Sequence, residues 1–262
     1  MSAIILRNEI VHYEVLGRGK PLIFLHGWVG SWRYWIPAMQ AASVTFRAYA
    51  LDLWGFGDTA KKPGYYAINQ QLTLVNEFIN ELGIGKIALV GHGLGAVIAW
   101  MYTFHNPAKV DRAVIVSLPQ NPNAIHPQLR SASPAELAEW LLDRSTVSEP
   151  VRLEAPKTDP DAIQTSISNL EDINLEEAAP NSSIPYLCVH GQNDPAVVTP
   201  EAQWIVSLPE QAHFISFEES GHYPMLDESS KFNRLLNEML NLKPGASPRQ
   251  LQLKEEWKRR VR

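Results

Sequence analysis

Gly91-His92-Gly93-Leu94-Gly95 is the run whose spacing points most directly to chemistry; it follows the apolar stretch IALV and precedes a helical pattern ending at Asn106-Pro107. A G-x-S-x-G run in that setting makes a sharp strand-to-helix turn that presents a nucleophile, flanked by glycines because side chains there would meet neighbouring backbone. Here the centre of the turn is Gly93, which has no hydroxyl, thiol or carboxylate and can form no covalent intermediate. A dinucleotide-binding loop is the rival reading of these glycines, and it fails for want of a third well-placed glycine and an acid at the right distance. The nearest side chains that could replace a nucleophile are His92, Ser31 and Ser117, and each has a plainer expected role. His92 packs beside the turn, Ser31 caps the helix that begins SWRYW, and Ser117 ends a core strand with no base paired to it.

Four further landmarks occur in order along the chain: His26-Gly27-Trp28, then Asp52-Leu53-Trp54-Gly55-Phe56-Gly57-Asp58-Thr59, then His190-Gly191-Gln192-Asn193-Asp194, and last Ser220-Gly221-His222. With the glycine run between the second and third, the chain resembles the α/β-hydrolase superfamily over nearly its whole length. The resemblance implies that Asp194 orients the imidazole of His222, which acts as general base. It also implies an oxyanion hole made by the backbone N–H groups of Trp28 and Leu94. His26, Gly27, His92, Trp54 and Ser117 are expected at the substrate pocket. Asp52 and Asp58 are expected to hold loops by local hydrogen bonds. The run GHGLGAVIAW is also similar to that of epoxide hydrolases and haloalkane dehalogenases, whose turn carries aspartate. No tyrosine occurs between Tyr102 and Tyr186 to protonate an epoxide, Leu94 stands where a dehalogenase wants an indole, and HGWVGS lacks the proline common after HG in epoxide hydrolases. The esterase-like branch is the better match.

Three explanations of Gly93 stay open at this stage. His222 and Asp194 activate water or take a proton from substrate without a side-chain nucleophile; or a serine hydrolase has been inactivated at position 93; or the pocket is retained by a non-catalytic ligand-binding or signalling protein. In a hydrolase stripped of its nucleophile, about 10³–10⁴ over the uncatalysed rate survives from the oxyanion hole and binding, so turnover without a nucleophile is physically possible. Gly93 also leaves room that could admit water below His222. The working expectation is a cofactor-independent hydrolase acting on a small, mainly apolar ester or related carbonyl compound. Trp28, Trp32, Tyr34, Trp35, Trp54 and Phe56 near the same loops are consistent with an apolar ligand, or with packing of lid on core.

The elements that must position these residues alternate. PLIFLHG, FRAYALD, KIALVGHG, VDRAVIVSLP and IPYLCVHG read as buried parallel strands, followed by HFISFEE at 213–219. A helix is expected over 69–82, capped by Asn69 and closed by Gly83, with others near 200–207 and 227–241. The fold class predicted is therefore α/β, a mostly parallel sheet of about eight strands with helices on both faces. Residues 120–180, rich in Pro, Asn, Ser and acids, break the rhythm and are expected to form a small inserted lid, leaving 1–119 and 181–242 as the core. Residues 243–262 are expected to form a tail, with KPGASP a linker and LQLKEEWKRRVR a short amphipathic helix.

At 262 residues and 45% hydrophobic, the chain has enough apolar surface for one large domain. A net charge of −5 and a pI near 5.9 give no general attraction to nucleic acid or anionic lipid, which leaves small molecules as the expected partners. Cys188 is alone and is expected to be buried in a strand. No segment approaches the ~20 apolar residues of a membrane span and no signal peptide is apparent, so a cytoplasmic location is expected. The scattered histidines show no metal-ligand spacing, no phosphate loop is present, and neither metal nor cofactor is expected. Oligomeric state is not legible.

Overall fold

The computed structural model describes residues 2–173, 175 and 183–253. Its centre is an eight-stranded sheet of β1 (Ser2–Leu6), β2 (Glu9–Leu16), β3 (Lys20–Leu25), β4 (Phe46–Leu51), β5 (Ile87–His92), β6 (Val110–Val116), β7 (Tyr186–Gly191) and β8 (Ala212–Phe217), ordered β1-β2-β4-β3-β5-β6-β7-β8. From β4 to β8 neighbouring strands are parallel. β1 and β2 form an antiparallel hairpin that joins β4 antiparallel. This hairpin was not expected. Its turn is Arg7-Asn8, both at positive φ (52° and 63°), the geometry of a two-residue hairpin turn without the glycine that usually signals one.

The helices are α1 (Ile36–Ala42), α2 (Ile68–Glu81), α3 (Leu94–His105), α4 (Gln128–Ser131), α5 (Pro134–Leu141), α6 (Glu149–Glu154), α7 (Pro160–Asn169), α8 (Ala202–Ser207), α9 (Pro224–Asp227) and α10 (Ser229–Leu240). α1 packs with α10, and α2 with α3, so the sheet is covered on both faces. α2 buries Leu74, Val75, Phe78 and Ile79, but it starts one residue before Asn69, and its cap position is Ala67 with no side-chain bond. Gly83 closes it at φ +61° as expected. The helix expected near 227–241 is α10, preceded by the short α9, with Phe232, Leu235, Leu236, Met239 and Leu240 buried on one face.

Between β6 and β7 the chain runs through α4 to α7. α5 starts with a capping box, in which Ser133 accepts from the Glu136 N–H and the Glu136 carboxylate accepts from the Ser133 N–H. This insertion is moored at two places. Its first segment bridges Ile125 to Val197, with His126 N–H on Ala196 C=O and Val198 N–H on Ala124 C=O. Its later part is tied by ions, Lys157 to Asp58 (2.9 Å) and Glu154 to Arg33 (2.8 Å).

The segment after Leu242 is not a free linker. Ser247 and Arg249 donate to the carbonyls of Glu210, Leu208 and Ala212, and Leu251 is buried, so this stretch covers the end of β8. The helix expected in LQLKEEWKRRVR falls mostly on 254–262, outside the described residues. No described helix is long and apolar enough to cross a membrane. Cys188 is buried in β7, where burial pushes its thiol up.

Candidate active site

The carboxyl ends of β3, β5, β6 and β7 lie side by side, so the loops that follow them converge at one end of the sheet, the usual place for a site in a parallel sheet. β5 ends in the turn at Gly93, which sits at φ 53° and ψ −112° and leads straight into α3. The three glycines of the run are not equivalent. A Cβ on Gly91 would come within 2.0 Å of the Gly95 carbonyl oxygen, and one on Gly95 within 2.3 Å of the Leu25 carbonyl oxygen. Both are excluded by backbone. A Cβ on Gly93 would meet Trp28 ring atoms and the Gly27 Cα at 3.3–3.4 Å, a contact that a small shift relieves. The centre of the turn thus keeps the shape of a position that holds a side chain, although its positive φ suits glycine.

His222 lies on the loop after β8, with its ring centroid 4.5 Å from that of His92, the residue before Gly93. Its Nδ1 lies 2.9 and 3.0 Å from the two oxygens of Asp194. A carboxylate accepts only, so Nδ1 carries the proton and the neutral ring has a bare Nε2. That nitrogen makes no hydrogen bond among the described residues. Asp194 is itself fixed, since Oδ1 accepts from the N–H groups of Ala196 (2.8 Å) and Val197 (3.0 Å). Burial alone would raise its pKa, but the neighbouring imidazole and these donors hold the carboxyl well below its ordinary value. The N–H groups of Trp28 and Leu94 have no hydrogen-bond partner among the described residues. Leu94 is the first residue of α3, where the positive end of the helix dipole adds to its donor.

The other expected pocket residues divide. Trp28 is buried, with its ring edge over Gly93 and its Nε1 donating to Ser166 of α7 (3.0 Å), so it joins the turn to the insertion. Gly27 must be glycine, because a Cβ there would approach His92 Nδ1 to 2.8 Å. His26 is engaged at both ring nitrogens. Its Nδ1 bonds the Gly27 carbonyl (2.8 Å) and its Nε2 accepts from the Leu53 N–H (3.0 Å), so the ring fastens two loops and has no nitrogen left for a ligand. His92 is engaged in the same way. It is fully buried, and its two nitrogens bond Tyr34 Oη (2.9 Å) and the His222 carbonyl (2.8 Å). Burial first, and the nearby His222 charge second, depress its pKa. Trp54 is buried with its ring 5.1 Å from that of Tyr65. Ser117 sits at φ +50°, a conformation that costs a non-glycine residue about 1–3 kcal/mol, with its hydroxyl 3.4 Å from the His222 carbonyl. Ser31 caps its helical turn by accepting from Arg33 N–H.

Sequence reasoning missed a second histidine–aspartate pair. His12 of β2 places Nδ1 3.0 Å from Asp52, and its Nε2 is 3.6 Å from Glu14. Asp52 also accepts from the Trp32 N–H (2.8 Å) and the Asp58 N–H (3.1 Å), which bears out its expected loop-holding role. His12, Asp52 and Asp58 bring three potential metal-ligand atoms within 4.8 Å of one another. The Lys157 ammonium already lies on Asp58, so the group reads as an ionic fastening of the insertion.

A family model described as "Alpha/beta hydrolase family" matches residues 22–235. The chain is 33% identical over 108 residues to the soluble epoxide hydrolase of a Corynebacterium species, a match covering 41% of this chain and 38% of that one. It thus spans well under half the length of that curated relative. Among solved structures it is similar to an enol-lactonase from Burkholderia xenovorans (TM-score 0.80, 18% identity, 91% of this chain and 99% of that one). It is likewise similar to an esterase from Exiguobacterium antarcticum (TM-score 0.79, 20% identity, 90% and 97%). The sheet order, the turn at Gly93 and the match over 22–235 lead to one conclusion: the chain belongs to the α/β hydrolase family.

Proposed function

We propose that this protein is a cofactor-independent hydrolase that cleaves a small, mainly apolar ester or related carbonyl compound with water as the nucleophile. The observation that carries the reading is the His222–Asp194 pair, whose Nε2 makes no hydrogen bond among the described residues and whose ring centroid lies 4.5 Å from that of His92, the residue before Gly93. Nε2 takes a proton from water, and the resulting hydroxide attacks the carbonyl carbon. The N–H groups of Trp28 and Leu94 hold the oxyanion that develops. Collapse expels the alkoxide, which recovers the proton from His222, so the enzyme returns to its starting state. In the same reading the described part of the insertion, residues 120–173, forms the lid over this site.

A second reading, a hydrolase whose nucleophile has been replaced by Gly93, is favoured by the near-sufficient room for a Cβ at that position. The likeness to an epoxide hydrolase makes epoxides the alternative substrate class for either reading. A panel of aryl and alkyl esters, lactones and epoxides, assayed with the native protein, Gly93→Ser and His222→Ala, tests both. Turnover by the native protein that His222→Ala abolishes supports water activation. Activity in Gly93→Ser alone supports the lost nucleophile. Silence in all three, with ligand binding retained, supports a binding protein.

A further inference from the structure

Granting that His222 is the base of the proposed reaction, we infer that Tyr34 and His92 are its positioning residues, forming one relay that locks the oxyanion loop and the base to each other. The relay can be followed donor by donor. Gly27 N–H donates to Tyr34 Oη (2.6 Å), Tyr34 O–H donates to His92 Nδ1 (2.9 Å), and His92 Nε2–H donates to the His222 carbonyl (2.8 Å). The directions follow from chemistry alone: a carbonyl only accepts, so Nε2 carries the His92 proton, and a neutral ring then leaves Nδ1 as the acceptor. All of these groups are buried, and although the His222 carbonyl also accepts from the Ser117 hydroxyl at 3.4 Å, breaking any link strands a buried donor or acceptor.

The ends of this relay are the two parts that must cooperate. Gly27 precedes Trp28, whose N–H is an oxyanion donor, and His222 carries the base. A second tie runs parallel, from Tyr223 Oη to the Val29 carbonyl (2.9 Å), so the loop is fastened to the base segment on both sides of Trp28. In a site with a serine at the turn, the hydroxyl would itself bond the imidazole and help to hold it. Gly93 offers no such bond, so the ring rests on Asp194 at Nδ1 and on its own backbone, and His92 holds that backbone. His92 is thereby more than packing beside the turn, although it touches no substrate.

The test uses His92→Asn, which places an amide near Nδ1 and loses the donor to His222, His92→Gln, which restores a donor near Nε2, and Tyr34→Phe. Folding of each is checked by thermal melting, and His92→Gln and Tyr34→Phe keep the test open should His92→Asn not fold. Two quantities are read: kcat and KM on whichever ester or epoxide the native protein turns over, and the downfield proton resonance of the His222 Nδ1–H bonded to Asp194. A displaced base lowers kcat by about 10²-fold with little change in KM. We expect that loss, with a weakened or missing resonance, in His92→Asn and Tyr34→Phe, and recovery of both in His92→Gln. Retention of kcat and of the resonance in His92→Asn, or equal loss in His92→Gln, overturns the inference. If the native protein turns nothing over but the resonance is lost in His92→Asn and kept in His92→Gln, the relay stands and the hydrolase reading fails.

Discussion

Among the described residues two buried histidine–aspartate hydrogen bonds have nearly the same length, His222–Asp194 at 2.9 Å and His12–Asp52 at 3.0 Å. Their surroundings differ. His12 has Asp52 at one nitrogen and Glu14 near the other, and Asp52 spends its remaining capacity on the N–H groups of Trp32 and Asp58. That pair joins β2 to the loops after β3 and β4, and the Nε2 of His12 is buried beside the Glu14 carboxylate at 3.6 Å, with no hydrogen-bond partner of its own among the described residues. Among the described residues the His222 ring is hydrogen-bonded at Nδ1 only, and it lies beside His92, which precedes Gly93. An equal hydrogen bond thus belongs in one place to a fastener set among acidic side chains and in the other, on the reading proposed above, to a base at the converging loops.

The largest expected effect comes from the His222–Asp194 pair. Asp194→Asn keeps the shape but reverses the hydrogen bond, which puts the proton on Nε2, and kcat should fall by about 10⁴-fold with the melting temperature little changed. Asp52→Ala should do the converse. Removing one partner of a buried ion pair costs about 3–5 kcal/mol, measurable by urea unfolding, because it leaves His12 and two backbone donors stranded. If Asp52→Ala were stable and inactive, the two pairs would not be as distinct as argued.

The pH dependence of stability separates the histidines by sign. Burial lowers the pKa of His12, but Asp52, Asp58 and Glu14 outweigh it, and the net shift is upward from 6.5. The folded state therefore keeps a proton that the unfolded chain gives up, so this contribution is complete below about pH 6.5 and fades as pH rises through the folded value. His26, His92 and His190 are shifted down, chiefly by burial. Their contribution is present above about pH 6.5 and is lost as pH falls toward their folded values. Urea midpoints of the native protein and His12→Asn, compared from about pH 6 to pH 9, should converge on the alkaline side; a constant gap would contradict the sign assigned to His12. The smallest effect is expected for Lys157→Ala. Its ammonium is 38% exposed, so loss of its bonds to Asp58 and Glu154 should cost less than about 1 kcal/mol.

The His222–Asp194 pair was legible in the sequence because each member stands in a short local motif at the end of a strand, HGQND for Asp194 and SGH for His222. The parallel strands were legible for a related reason, their apolar runs being bounded by Gly, Pro or Asp. The His12–Asp52 pair was not, since its members are 40 residues apart and neither lies in a pattern that names the other. The same holds for Tyr34 and His92, 58 residues apart, which looked like packing when read one at a time. The β1–β2 hairpin was hidden by a turn that uses Arg7 in a conformation arginine rarely adopts. The bonds of His26 were not legible, because a motif gives the position of a ring but not what its two nitrogens bind.

The most direct test of the His222–Asp194 pair as a base without a nucleophile is the pre-steady-state hydrolysis of an activated aryl ester by the native protein beside His222→Ala. Water activation predicts release of the phenol at a constant rate from the first turnover, with no burst, and a fall to the buffer rate in His222→Ala. A stoichiometric burst, or equal rates in the two proteins, would contradict it.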